Sequence, residues 1–341
     1  MLVKLFKKYY LQDSLIGAAY EGLCSEARGW VKKSIACLYN FYGQPWPAKE
    51  NIQLTKFQNS SITLKQQPCE LCVVIYDSNY KALSRGLAAV CPALFAGVQN
   101  ICTLAVHEQA VNVEAKNLKS NINSEACFNN FASQSFPNAK LSLNLLAAWE
   151  LAGVEDMLAL PQADLLPLLH KVQKHFRFVR IVVLGNPAWK HEVLTMPLRQ
   201  ECKIWTESPL VNILMRGNFS KKTIQAVKAL HPDLRIKITP DLAASPDGYF
   251  AVIQGQNEDE WKEAQKCQAS GQFLDANIEL VKPVYSGEFD SACASSPLLS
   301  HFLLNSPSSP SLVLDKNMAG CWLWPDLGLD FFKANQVTFT A

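Results

Sequence analysis

A chain of 341 residues, 49% hydrophobic and 18% charged, has more apolar material than one core normally serves, which predicts two globular domains and excludes a disordered chain. The net charge of +2, with basic residues spread rather than bunched, gives no electrostatic footprint for nucleic acid or an anionic membrane. No apolar run approaches the ~20 residues of a membrane span, and Tyr9, Tyr10, Gln12 and Asp13 interrupt what could start a signal peptide.

Eleven cysteines are many, but the number is odd and several sit inside apolar segments, as Cys72, Cys91 and Cys102 do. Buried thiols of this kind behave as small hydrophobes. The expectation is therefore a reduced, metal-free set in a cytoplasmic protein.

Leu11, Leu15, Ala18, Ala19, Leu23 and Ala27 fall on one helical face, and a second short helix is expected around Val31–Tyr39, ending before Gly43-Gln44-Pro45-Trp46-Pro47. From Asn51 to Gln67, alternating Ile52, Leu54, Phe57, Ile62 and Leu64 predict a hairpin or a connecting strand.

The organising stretch runs from Cys69 to Gly185. Strands are expected at Glu70–Tyr76, Ile101–Val106, Met157–Leu160 and Val179–Gly185, and helices at Lys81–Gly97, Leu141–Gly153 and Ala163–Phe176. Such alternation specifies an α/β layer around a parallel sheet. A polar insert from Gln109 to Ala139 interrupts it and is read as a lid or a mobile excursion. Strands at Leu210–Leu214, Leu234–Ile238, Tyr249–Gln254, Ile278–Val284 and Cys321–Trp324 follow, with helices at Ser220–His231, Glu258–Cys267 and Pro297–Leu304. The loop 305–311 is rich in Ser and Pro. The pattern divides into a helical arm and connecting segment over 1–65, a first α/β domain over 66–200 and a second over 201–341. Two tandem α/β halves suggest a cleft that holds a small ligand.

The middle of the chain resembles histidinol dehydrogenase, of the aldehyde-dehydrogenase-like superfamily. Val73-Val74-Ile75-Tyr76 leads to Val90-Cys91-Pro92-Ala93-Leu94-Phe95-Ala96-Gly97-Val98, where that family has a strand and then Ile-Pro-Ala-Lys-x-Ala-Gly-Val. Leu146-Ala147-Ala148-Trp149-Glu150-Leu151-Ala152-Gly153-Val154 is similar to the family's Leu-Ala-Ala-Ala-x-Leu-Ala-Gly-Val, and Val182-Val183-Leu184-Gly185-Asn186 to its Ile-Val-Gly-Pro-Gly-Asn. The resemblance covers about a third of the chain and rests on scaffold positions. It implies two Rossmann-like three-layer domains with mostly parallel sheets, an NAD(P) cofactor and a homodimer.

The departures bear on chemistry. Asp77-Ser78-Asn79 replaces the family's paired glycines, Leu160-Pro161-Gln162-Ala163 replaces its Gly-Gly-Ala-Gln, and the chain has no Glu-His pair to serve as its general acid/base. The family's zinc ligands find no match, so zinc is not expected. Cys69-Glu70-Leu71-Cys72 lacks the second pair a metal site needs, and the six histidines are scattered. His191-Glu192 follows the Gly185 turn and is read as a solvated surface pair.

Two candidate sites remain. Cys293 precedes an expected helix, where a thiolate is stabilised, and superfamily relatives use a second-domain cysteine as nucleophile; Ser295 or Ser296 as a helix cap explains the same residues. Gly185, Asn186 and Trp189 lie at a strand end where open α/β sheets bind ligands, with Trp189 either stacking on a flat ring or packed as a turn anchor. Three readings follow: a family member without its catalytic residues that binds a small ligand, a divergent NAD(P)-dependent aldehyde or acyl-CoA oxidoreductase using Cys293, and a structural partner protein. If Cys293 is a nucleophile, alkylation at neutral pH labels it ahead of the other ten cysteines, as peptide mapping would show; uniform labelling removes it.

Overall fold

The computed structural model describes residues 5–43, 51–57, 60–108, 142–209, 212–240, 251–254, 312–315 and 318–340. Cys293, the insert 109–139, the loop 305–311, and the elements expected at Glu258–Cys267, Ile278–Val284 and Pro297–Leu304 lie outside the described residues. By internal contacts the chain forms two units. The first comprises Met1–Pro209, Gln225–Asp233 and Gly320–Ala341, the second Leu210–Ile224 and Leu234–Ala319.

Helix α1 (Asp13–Gly22) buries Leu15, Ile16 and Ala19. It does not continue to Ala27 as the apolar spacing suggests. The chain turns extended at Leu23 and Cys24, and the Cys24 sulfur accepts the Ala27 N–H at 3.5 Å to open α2 (Ser25–Tyr42). A cap at that point starts a second helix of 18 residues, twice the length expected. Cys37, Cys69, Cys72, Cys91, Cys102, Cys202 and Cys321 are thiols. Cys24 is disulfide-bonded, which corrects the expectation of a wholly reduced set.

The segment after α2 is a hairpin, β1 (Asn51–Phe57) against β2 (Ser60–Pro68), antiparallel with Asn51 opposite Gln66. Next come β3 (Leu71–Asp77), α3 (Leu83–Phe95), β4 (Ile101–His107), α4 (Leu143–Ala152), β5 (Asp156–Pro161), α5 (Gln162–His175), β6 (Val179–Leu184), α6 (Lys190–Thr195) and β7 (Lys203–Thr206). The five strands form one parallel sheet in the order β5-β4-β3-β6-β7. Sequence periodicity gave all of these within a few residues except α6 and β7.

Strand alternation makes the sheet the middle of three layers. Leu71, Val73, Ile75, Leu104, Val106, Ile181 and Val183 face a cluster with Leu165, Leu169 and Val172 of α5, and with Phe6 and Tyr9 at the amino end. On the opposite face Tyr76 meets Trp149 of α4 edge-to-face at 4.8 Å. The α1 and α2 arm packs on α3 and α4 there. Ser142 caps α4 through the Leu145 N–H, and Gly153 ends it with φ +87°.

The second unit holds a parallel sheet in the order β11-β10-β8-β9. Its strands are β8 (Asn212–Arg216), β9 (Arg235–Thr239), β10 (Ala251–Gln254) and β11 (Leu312–Asp315), with α7 (Lys221–Leu230) between the first two in sequence. Cys321–Trp324 is not a strand. It is a buried, irregular strap in the first unit, and the final strand β12 (Lys333–Thr340) returns to pair antiparallel with β2. At its start, Arg180 of β6 donates to the carbonyls of Phe331, Lys333 (2.6 Å), Glu201 (2.9 Å) and Val179 (3.1 Å), tying β12 to the main sheet.

Two helical glycines should respond oppositely to the same change. A Cβ at Gly86 of α3 would lie 2.7 Å from a methyl of fully buried Leu145, whereas nothing lies within 4 Å of one at Gly17 of α1. Gly17→Ala is expected to raise stability by about 0.5–1 kcal/mol. Gly86→Ala is expected to lower it by about 1–2 kcal/mol through overpacking. Urea midpoints check both; a stabilising Gly86→Ala would contradict the packing described.

Candidate functional site

Strand order sets the position of the crevice. The chain winds from β3 to β4 and β5 on one side, then crosses back to β6 and β7 on the other, so the connections diverge between the carboxyl ends of β3 and β6. A crevice outside such a reversal is where open parallel sheets receive ligands. Here side chains of the same unit fill it.

After β3 the chain makes a tight turn. The Asn79 N–H donates to the Asp77 carboxylate at 2.8 Å, and the Tyr80 N–H donates to the Asp77 carbonyl at 2.8 Å. Tyr80 is thereby brought over the strand ends and is buried. After β6, Gly185 adopts φ +74°, and a Cβ there would sit 3.3 Å from the Tyr80 ring. A side chain there would press on the Tyr80 ring, and the positive φ also favours glycine. Its left-handed conformation accompanies an N–H that donates to Oε2 of Glu207, the first residue after β7, at 2.6 Å.

The other carboxylate oxygen of Glu207 meets the Arg85 guanidinium at 2.8 Å, with both side chains only 3% exposed. Arg85 comes from the first turn of α3 and also pairs with Asp233, which follows α7. The Lys190 ammonium, at the start of α6, donates to the carbonyls of Glu207 (2.9 Å) and Gly185 (3.3 Å). Burial raises the Glu207 carboxyl above its ordinary range, opposed by Arg85 and the Gly185 N–H. Burial also works against the Arg85 charge, but Tyr80, Glu207 and Asp233 more than offset it and hold the guanidinium protonated.

The 320–324 strap covers the start of α3. Ser84 Oγ donates to the Gly320 carbonyl, and Trp324 Nε1 donates to the Arg85 carbonyl at 3.2 Å. Trp205, Trp324, Trp322 and His231 follow one another with ring centroids 5.1, 5.6 and 5.0 Å apart. His231 is 1% exposed, and neither ring nitrogen has a hydrogen-bond partner among the described residues. Burial, and then the Arg85 charge, hold its pKa well below the usual value, so the ring is neutral.

Of the sequence-derived candidates, Gly185 is at the centre of this cluster and Asn186 is exposed beside it. Trp189 is 3% exposed in the core cluster under α5 and α6, so no ring face is open for a flat ligand. Cys69 and Cys72 are buried at the start of β3, and burial pushes the Cys69 thiol up to about 12, the reverse of an activated cysteine. His191 and Glu192 are exposed on α6. Tyr80, Arg85, Glu207 and His231 escaped sequence reading because they belong to no motif. The one available sign was polar residues just past apolar strands.

Among the described residues, no group of three or more His, Cys, Asp and Glu could hold a metal, and no helix is long and apolar enough to cross a membrane.

No protein-family model and no curated protein sequence matches the chain. Among solved structures it is similar to histidinol dehydrogenase from Elizabethkingia anophelis, at 10% identity over 97% of this chain and 76% of that one, with a TM-score of 0.46. It is also similar to an NAD-dependent benzaldehyde dehydrogenase from Corynebacterium glutamicum, at 10% identity over 96% and 84%, with a TM-score of 0.38. An aldehyde dehydrogenase from Brucella melitensis biovar abortus 2308 matches at 12% identity over 79% and 53%, with a TM-score of 0.29.

The neutral His231 has a signed consequence. Between its depressed folded pKa and the ordinary 6.5, the unfolded chain holds a proton that the folded chain does not, so this group's share of stability is lost as pH falls below about 6.5. The slope is at most about 1.4 kcal/mol per pH unit. The raised Glu207 pKa acts with the opposite sign. Urea midpoints should therefore fall less steeply with acid in His231→Phe than in the wild type; equal slopes would contradict a neutral buried His231.

Proposed function

We propose that this chain is a divergent histidinol/aldehyde-dehydrogenase-like protein that does not oxidise histidinol and serves as a small-ligand-binding or regulatory module. The observation that supports the loss of the dehydrogenase activity most is Glu207, which leaves any small-ligand site to be sought elsewhere in the chain. Its carboxylate takes the Gly185 N–H and the Arg85 guanidinium, two donors that an anionic ligand at the strand reversal would otherwise use. A dinucleotide pyrophosphate would have to displace a carboxylate that is 3% exposed, and Tyr80 as well. The Asp77-Ser78-Asn79 turn also lacks the glycines that let a backbone approach phosphate.

A second reading draws on the sheet order, whose strand reversal is the place where such sheets take a dinucleotide. In that reading the chain is an NAD(P)-dependent aldehyde or acyl-CoA oxidoreductase with Cys293 as nucleophile. Calorimetric titration with NADH and NADPH separates the two. Dissociation constants weaker than about 1 mM, or no saturation, are expected, together with no cofactor reduction when histidinol, zinc and NAD are combined. Micromolar cofactor binding would favour the second reading, and zinc-dependent turnover of histidinol would overturn the first.

A further inference from the structure

Cys37 lies on α2 and Cys321 in the strap, 284 positions apart in sequence, yet the segment 320–327 runs along α2. A Cβ at Gly320 would lie 3.4 Å from the Trp30 ring, and the Tyr42 hydroxyl donates to the Leu327 carbonyl at 3.3 Å. Between these contacts the Cys37 and Cys321 side chains interact with each other and with Ser34. Cys321 is buried, whereas Cys37 is half-buried and within reach of a small reagent. The flanking residues of the strap are fixed, Gly320 by Ser84 and Trp324 through the Arg85 carbonyl. Gly320 itself has φ +86° and lies against Leu230 and Trp30. A bond between the two sulfurs would thus join α2 to the segment that covers the start of α3.

We propose that Cys37 and Cys321 form a reversible disulfide that locks the 320–324 strap in place. The oxidant is a low-molecular-weight disulfide such as oxidised glutathione. The Cys37 thiolate attacks one of its sulfurs, the glutathione S–S bond breaks, and one glutathione thiolate leaves. Cys321 then loses its proton to solvent and attacks the Cys37 sulfur, and the second glutathione leaves as thiolate. The two protein thiols lose two electrons and two protons, and one oxidised glutathione becomes two reduced ones. The Cys37 contact, followed by burial, holds the Cys321 thiol protonated, so the second step is the slow one and is faster in alkali. The closed loop is long, and a cross-link there removes much of the freedom of the unfolded chain.

Peptide mapping tests this directly, because trypsin releases Cys37 in 34–49 and Cys321 in 317–333, each as the only cysteine of its peptide. The full-length protein is incubated with oxidised glutathione, remaining thiols are alkylated, and the digest is run without reductant. The expected result is a linked pair of these two peptides that dithiothreitol separates and that is absent from Cys37→Ser and Cys321→Ser. The melting temperature should rise on oxidation by roughly 5 °C or more and return on reduction. Should Cys321→Ser fail to fold, Cys37→Ser, at a half-buried helix position, supplies the comparison. Recovery of Cys37 as the glutathione adduct with Cys321 alkylated, or linkage of Cys37 to another cysteine, overturns the proposal.

Discussion

The carboxyl end of the main sheet depends on the ion pair between Arg85 and Glu207. Two charges that are each 3% exposed have lost most of their hydration, and only mutual attraction and further hydrogen bonds offset that loss. The bonds are supplied by residues at fixed points of the fold: Gly185 after β6 and Asp233 after α7, with the Tyr80 ring over the guanidinium at 5.6 Å. The pair therefore links the first turn of α3 to the ends of β6 and β7. Lys190 reinforces the arrangement by bridging the Gly185 and Glu207 carbonyls.

This arrangement bears on function through charge. A parallel sheet with its connections diverging between β3 and β6 presents backbone N–H groups and a helix amino terminus to whatever lies outside the reversal. Glu207 meets that demand from within the chain. At the opposite end of β6, Arg180 is bound by four backbone carbonyls and carries the start of β12. Buried arginines thus fix both ends of one central strand, one through a carboxylate and the other through the backbone.

The sheet and its layers were legible in the sequence because β3, β4 and β6 are dominated by apolar residues, with Thr103 and Arg180 as the polar interruptions inside them, and α3, α4 and α5 carry apolar residues at helical spacing. Weaker elements escaped. Lys203-Ile204-Trp205-Thr206 is four residues with an exposed lysine at its head, and Lys333–Thr340 mixes Asn and Gln with Val and Phe. Both are strands because a neighbouring edge was free to pair, which local pattern does not encode. Cys321-Trp322-Leu323-Trp324 failed in the other direction, since its apolar run buries against the start of α3 without strand partners. Of the residues that meet around Glu207, Gly185 alone is singled out by the sequence. Arg85, Glu207 and His231 come from parts of the chain that meet only after folding, and Trp189 was drawn into the core rather than toward a ligand.

A double-mutant cycle of Arg85→Met and Glu207→Gln, read by urea denaturation, most directly measures whether this pair holds the strand ends together. Arg85→Met leaves the buried Glu207 carboxylate without its guanidinium partner and should cost about 3–5 kcal/mol, whereas Glu207→Gln leaves Arg85 paired with Asp233 and should cost less. The double variant should cost less than the sum by at least about 2 kcal/mol. Additivity within about 0.5 kcal/mol would contradict a closed, ion-paired crevice and leave the carboxyl ends of β3 and β6 open to a ligand.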